Sequence, residues 1–435
     1  MKLVVTILEE TFDAALAAID ALTADHDMIE LRAEPFGVID LHALRSATSK
    51  PIILTYRGAQ APEAREALEA GIDFIDVEWR DDLSIDVPRE RVVLSHHDYE
   101  SISDVEGLLA KMRALGCAHT KLAVTPKTLD DNLRLLRTLR GAQTFLSAPA
   151  HAQTGMSALH VSVIGMGERG LYSRILAPFL GSELTFVAAT KSAAPGQLTL
   201  DRALQIYGND RESLHATHVF AIAGNPAGHS LSPAIHNPLF RGKELDAAYT
   251  IASFETFEEI ARAFERGDIR GLSITAPFKE EAFAWAEQAG AHIRHNAREA
   301  GSVNTLVTMR DGCIVADNTD VDGFASLIGD AKDVAIVGAG GTARAALVAL
   351  KRAGARIRVF NRSQREFPHA IDRLDALARF AGDLVINTLP HGAEVELPPG
   401  IRTIEAKYSG ASGSGFDLLR AQAVRQNELF VEAIS

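Results

Sequence analysis

Two cysteines, Cys117 and Cys313, in 435 residues exclude a disulfide framework or a cysteine-built zinc cluster, and a reducing cytoplasm is the expected compartment. No continuous apolar run reaches the roughly 18 residues a membrane span needs. The opening run MKLVVTIL meets Glu9 and Glu10 too early for a signal peptide. Positive charge is short as well: 44 Lys and Arg face 57 Asp and Glu, a formal net charge of -13. Long-range repulsion therefore disfavours nucleic acid and anionic membrane as partners, and an anionic small molecule requires a local cluster of Arg and Lys. Low-complexity sequence is also missing, and no Gly/Ser-rich or Pro-rich linker marks the junction near residue 215, so the two halves of the chain are expected to abut.

What is present is ordinary globular material, 47% hydrophobic and 23% charged. At about 150 residues per domain the length allows two or three domains. From residue 3 to about 210, eight short apolar runs alternate with amphipathic stretches of helical spacing: LVVTIL, MIELRA, PIILTYR, DFIDVEW, VVLSHHD, TKLAVT, LHVSVIGMG and LTFVAAT. Eight such repeats predict an α/β fold of (β/α)8 TIM-barrel type, in which functional groups gather at the C-terminal strand ends. A doubly wound sheet is the competing topology. Charge falls where the barrel wants it: Glu30 and Arg32, Arg57, Asp76 and Glu78, and His97 close successive runs, and Lys121 lies inside the sixth.

Near residue 215 the pattern restarts with THVFAIAGNPAGHSLSPAIHN, a strand, a small polar loop and a helix. Further on, DVAIVGAGGTARAALVALKRAGARIRVFNRS reads strand, glycine turn, helix, strand. Gly338, Ala339, Gly340 and Gly341 permit close backbone approach to a pyrophosphate at a helix N-terminus, the Rossmann arrangement. The next strand ends in Asn361, Arg362 and Ser363, with Arg365 beyond. Basic and polar residues there suit a 2′-phosphate, so NADP(H) is expected over NAD.

Beside this nucleotide site, AGNPAGHSLSP, GLSITAPFKE, AGSVNTL and DNTD form an ordered series that resembles shikimate dehydrogenase. The resemblance implies a two-lobed α/β unit: a substrate lobe over 217–323 and a Rossmann NADP-binding lobe over 324–435, whose C-terminal helix returns to the substrate lobe. It also implies that Ser230, Ser232, Thr275, Asn304 and Gln422 bind the substrate carboxylate and hydroxyls, and that Lys279 and Asp320 form the catalytic pair. Reducing a ketone needs a hydride on carbon and a proton on oxygen, and a Lys–Asp pair supplies polarisation and proton transfer. After Tyr408 the chain runs through SGASGSG directly into FDLLRAQAV, shorter by about a helix than the family pattern.

Residues 1–213 resemble type I 3-dehydroquinate dehydratase, through IELRAE, LTYRG, FIDVEW, VVLSHHD, TKLAVTP, GERGLYSR and SAAPGQ in that order. By that resemblance Glu30, Arg32, Arg57, Arg174 and Gln197 hold the substrate, His97 is the general acid/base, Lys121 forms a Schiff base, and no metal takes part. Three departures stand out. Ala61 replaces a glutamate, so that another group must orient His97, with Glu63 nearby. Ala193 replaces a serine beside Ser192, and TFLSAPAHAQTGMS lengthens the segment between Lys121 and Arg174.

The residue types fit the chemistry. A lysine desolvated by an apolar strand and neighbouring arginines is expected to have its pKa pulled down, making it nucleophilic near neutrality. A metal site at His96, His97 and Asp98 is disfavoured because adjacent strand residues point to opposite faces. The two resemblances together imply a bifunctional enzyme acting on small molecules: 3-dehydroquinate to 3-dehydroshikimate, then NADPH-dependent reduction to shikimate. A non-catalytic metabolite sensor and an oxidative quinate/shikimate dehydrogenase are the alternatives.

Overall fold

In the computed structural model, residues are described throughout except 23–24, 57–60, 147–159, 391 and 409–411. The chain divides into two units, one of residues 1–217 with 241–253 and one of residues 218–240 with 254–435.

The first unit is built on eight strands in the order β7-β6-β5-β4-β3-β2-β1-β8. They are β1 (Lys2–Ile7), β2 (Met28–Arg32), β3 (Ile52–Thr55), β4 (Phe74–Glu78), β5 (Val92–Asp98), β6 (His119–Val124), β7 (His160–Gly165) and β8 (Leu184–Ala188). These strands pair in parallel from β7 through to β8 along that order. Between β7 and β8, the Leu184 N–H donates to Ser162 Oγ at 2.7 Å and the Glu183 N–H to Val161 O at 3.1 Å, drawing the sheet's ends together into a barrel. Each of the eight apolar runs is a strand. Strands covered on both faces read as continuous apolar sequence, which is why the runs were visible.

Several helices of this unit start on side-chain caps. Thr11, Asp40 and Thr199 each accept a backbone N–H from the first turn of Phe12–Asp20, Leu41–Ser46 and Leu200–Tyr207. At the end of β7, an added Cβ on Gly165 would lie 2.4 Å from Gly170 O, so only glycine lets the following turn close over the strand.

The strand period of two sets the barrel interior. Val4, Met28, Ile53, Val93 and Leu184 pack an apolar layer. Two residues further along, the same face presents Thr6, Glu30, Thr55, Ser95 and Phe186, and Asp76 stands two beyond Phe74. A polar layer thus sits on a dry one, toward the C-terminal strand ends. β10 (Ala247–Ser253) also belongs to this unit.

The second unit holds two sheets. In one, β9 (His218–Gly224), β11 (Gly271–Ile274), β13 (Thr305–Thr308), β14 (Ile314–Asp317) and β12 (His292–Ile293) lie in that order. β11 pairs parallel with β9 and antiparallel with β13. The other is a parallel sheet in the order β17-β16-β15-β18-β19, from β15 (Asp333–Val337), β16 (Arg356–Asn361), β17 (Ile371–Arg373), β18 (Leu384–Asn387) and β19 (Arg402–Glu405). β15 is flanked by β16 and β18, so the strand order reverses beside it, the Rossmann switch point. The C-terminal helix Ser414–Glu432 buries Leu418, Gln422, Gln426 and Phe430.

Candidate active sites

In the barrel, Lys121 is 5% exposed, and its Nζ lies 3.2 Å from Glu30 Oε1 and 3.2 Å from Asp76 Oδ2. The Phe186 ring centroid is 4.0 Å from the same nitrogen. Here the structure reverses the sequence expectation. Burial lowers the lysine pKa, but the carboxylates of Asp76 and Glu30 outweigh it and the net direction is up. Neighbouring carboxylates, which the strand sequence alone could not aim, decide the sign. Burial pushes Glu30 toward the neutral acid, yet Lys121, Thr6 and Arg32 hold its carboxyl at about 2. The cluster is an internal ion pair, with Thr6 Oγ1 and Thr55 Oγ1 donating to Glu30 at 2.7 and 3.1 Å and Ser95 Oγ donating to Asp76 at 2.5 Å.

His97 stands at the same mouth, its side chain 7% exposed. Its Nδ1 is 2.6 Å from Glu78 Oε2, and its backbone N–H donates to Glu78 Oε1 at 2.8 Å. Glu78, on the neighbouring β4, thus holds both the ring and the backbone of His97. Burial lowers the His97 pKa; the Glu78 bond opposes that and the Lys121 charge adds to it, for a net downward direction. Tyr99 stacks at 6.3 Å between centroids on the ring.

The remaining barrel residues fall around this centre in different ways. Gln197 Nε2 donates to Thr6 Oγ1 at 3.2 Å, and its Oε1 accepts the Ala193 N–H at 2.7 Å. Arg32 is held by Glu34, Nη2 to Oε1 at 2.7 Å. Arg174 is 6% exposed, donates to Pro195 O at 3.2 Å and has no carboxylate partner among the described residues; burial lowers it to about 10. Ser192 Oγ turns to Ala194 O. Arg57 and most of the TFLSAPAHAQTGMS segment lie outside the described residues, as does part of SGASGSG. Asp76 and Glu78 were visible as strand-end charges, but their roles depend on register, with Glu78 opposite Ser95 and Ser95 opposite Lys121.

In the second unit a cavity of about 110 Å³ brings together Ser232, Thr275, Lys279, Asp320, Tyr408 and Gln422. Lys279 Nζ donates to Asp320 Oδ2 at 2.5 Å. Asn304 stands behind: its Nδ2 donates to Asp320 Oδ1 at 2.9 Å and Thr319 Oγ1 at 3.0 Å. Gln422 Oε1 accepts from Thr319 Oγ1 at 3.2 Å. Ser230 is joined to the cavity through Ser232, Oγ to Oγ at 3.1 Å, and the Leu231 N–H donates to Tyr408 Oη at 3.3 Å. Gln426, one turn after Gln422, was not singled out in the sequence, although the i, i+4 spacing puts both on one face. It accepts from Ser273 Oγ at 2.9 Å and donates to Asn304 O at 3.0 Å.

The glycine turn after β15 fits a dinucleotide. Gly338 has φ +106°, and an added Cβ would lie 2.4 Å from Thr388 Oγ1. At Gly340 an added Cβ would meet no described residue within 4 Å, and helix Gly341–Arg352 starts there with no side-chain cap among the described residues and no acidic residue in its first turn. The dipole and the free N–H groups of such a helix start favour an anion. Ala339 is buried within the turn. Arg362 and Ser363 are exposed at the end of β16, Asn361 Nδ2 donates to Ser363 O at 2.8 Å, and Arg365 pairs with Glu280 at 3.0 Å.

Comparison with known proteins bears on both units. Residues 3–213 match the family model for type I 3-dehydroquinase, and residues 222–306 that for the shikimate dehydrogenase substrate binding domain. The chain is 30% identical over 401 residues to the bifunctional 3-dehydroquinate dehydratase/shikimate dehydrogenase, chloroplastic, of Arabidopsis thaliana, covering 81% of this chain and 62% of that protein. It is 29% identical over 368 residues to the shikimate biosynthesis protein AroDE of Chlamydia pneumoniae, covering 78% and 71%. To the pentafunctional AROM polypeptide of Mycosarcoma maydis it is 30% identical over 409 residues, covering 80% and 23%. The chain thus spans less than two thirds of the plant and fungal relatives.

Proposed function

We propose that this chain, whose residues 3–213 match the type I 3-dehydroquinase model and 222–306 the shikimate dehydrogenase substrate binding domain model, has two consecutive activities: dehydration of 3-dehydroquinate on a barrel domain of residues 1–213, then NADPH-dependent reduction of 3-dehydroshikimate to shikimate by lobes 217–323 and 324–435. The observation that carries the first is the buried ammonium of Lys121 between Glu30 and Asp76, with His97 held beside it.

Lys121 attacks the substrate ketone once it has given its proton to an adjacent carboxylate, and loss of water leaves an iminium. His97 takes a proton from the neighbouring carbon, and the iminium accepts the electron pair that this bond releases. His97 then gives the proton to the departing hydroxyl, which leaves as water, and a water molecule hydrolyses the remaining iminium to free the product ketone and Lys121. Glu30, Arg32, Arg57 and Gln197 are assigned to the substrate hydroxyls and carboxylate, and Arg174, a buried cation without a carboxylate partner among the described residues, suits the carboxylate best.

For the second step NADPH supplies the hydride. Lys279 polarises the carbonyl and, with Asp320, delivers the proton to its oxygen. Ser230, Ser232, Thr275 and Gln422 are assigned to the carboxylate and hydroxyls, and Asn304 keeps Asp320 aimed. Gly338 to Gly341 would hold the pyrophosphate, and Asn361, Arg362, Ser363 and Arg365 the 2′-phosphate end.

Supplying 3-dehydroquinate with and without NADPH, and following enone formation and cofactor oxidation separately, tests both activities. Absence of enone defeats the dehydratase assignment. Enone without NADPH oxidation defeats the reductase assignment.

A further inference from the structure

Among the described residues Lys279 Nζ has two polar partners, and they come from different lobes. Asp320 Oδ2 receives its ammonium on the substrate side at 2.5 Å; Thr342 Oγ1 receives it at 2.9 Å from the nucleotide-binding helix Gly341–Arg352. The backbone supports this second contact closely. An added Cβ on Gly341 would lie 2.7 Å from Lys279 Cβ, and Ser302 Oγ donates to Gly341 O at 3.2 Å. The next residue makes a parallel connection, since Glu280 faces Arg344 at 3.7 Å and Arg365 at 3.0 Å.

A hydroxyl carries one proton and two lone pairs. Lys279 takes a lone pair of Thr342, which leaves the O–H available as a donor. That donor belongs to the second residue of a helix that starts with no side-chain cap among the described residues, beside a Gly340 whose added Cβ would meet no described residue within 4 Å. An anion drawn to the free N–H groups of this turn comes within reach of the same O–H.

Building on the reductase reading above, we propose that Thr342 is a positioning residue: its hydroxyl accepts from Lys279 and donates to the cofactor pyrophosphate, tying the lysine's alignment to cofactor occupancy. Such a link makes the proton-delivering group ready when the hydride source is seated. Glycine fixes the approach and threonine makes the bond, so neighbouring positions of GAGGTA serve different ends.

Thr342→Val keeps the shape and removes the hydroxyl; Thr342→Ser keeps the hydroxyl. In steady-state reduction with NADPH, the valine variant is expected to lose about ten- to a hundredfold in kcat with little change in KM for the carbonyl substrate, and the serine variant to recover most of it. A second readout needs no turnover: acylation of Lys279 by an amine-directed reagent in the cofactor-free protein, mapped by mass spectrometry, is expected to run several-fold faster in the valine variant. Wild-type labelling of Lys279 in the valine variant overturns the proposal. So does a raised KM for NADPH with kcat unchanged, because the hydroxyl then serves the cofactor alone. If the wild-type chain reduces nothing, the reductase reading falls, while the labelling still decides whether Thr342 restrains Lys279.

Discussion

One carboxylate fixes both the ring and the backbone of one histidine: Glu78 meets His97 Nδ1 at 2.6 Å and the His97 N–H at 2.8 Å. The bond to Nδ1 leaves Nε2 uncommitted to this carboxylate, the division of labour that the proposed acid/base role needs.

Glu78→Gln keeps the shape and removes the charge. Dehydratase kcat is expected to fall about ten- to a hundredfold. Because Glu78 raises the His97 pKa against burial and Lys121, its neutralisation moves His97 titration to lower pH. NMR titration of His97 together with the pH-rate profile checks both; an unmoved titration rules out Glu78 as the orienting charge.

Asp76 and Glu30 keep Lys121 protonated in the substrate-free protein. Asp76→Asn removes one of them, so the lysine pKa drops and Lys121 is expected to react faster than in the wild type with an amine-directed reagent at pH 8. In the wild type, borohydride with 3-dehydroquinate is expected to trap an adduct on Lys121. Peptide mapping to any other lysine overturns that assignment.

Gly341→Ala places a Cβ 2.7 Å from Lys279 Cβ. The lysine or the helix must shift, and reductase activity is expected to fall at least tenfold while dehydratase activity on the same chain is kept. Retention of full reductase activity would show that the nucleotide helix does not seat against Lys279.

His119, at the start of β6, lies edge-on to Phe74 and stacks on His160 at 5.1 Å between centroids. Burial lowers its pKa from 6.5 to about 3, with the charges of His160 and Lys2 adding to the effect. Below pH 6.5 the unfolded chain binds this proton and the folded one does not until about pH 3. Stability is therefore lost as pH falls through that window, at up to about 1.4 kcal/mol per pH unit. His119→Phe is expected to lessen the fall in the urea midpoint between pH 7 and pH 5; an equal fall in both proteins refutes it.

The barrel was legible because burial on both faces left eight uninterrupted apolar runs, and the nucleotide lobe because VAIVGAGG needs its glycines wherever it occurs. Lys121 and His97 were legible for a related reason: such groups are conspicuous in apolar strands. Their partners were not. Glu30 and Asp76 reach Lys121 across 91 and 45 residues, and only the strand register turns separate strand-end charges into one cluster. The sign of the lysine's pKa followed from that register, so it was misread from the strand alone. Thr342 escaped notice because the motif explains its glycines and is silent on the residue after them.

The bond from Gln197 to Thr6 spans 191 residues. Thr6 also holds Glu30, which holds Lys121, so this contact links the last part of the barrel to the first. On a ribosome the strand bearing Thr6 emerges early and waits for the segment bearing Gln197. A nascent chain that has just extruded β6 possesses the lysine, the histidine and three carboxylates, yet lacks Arg174 and Gln197. Under the assignments proposed here, catalytic competence arrives in one late step of synthesis instead of growing strand by strand.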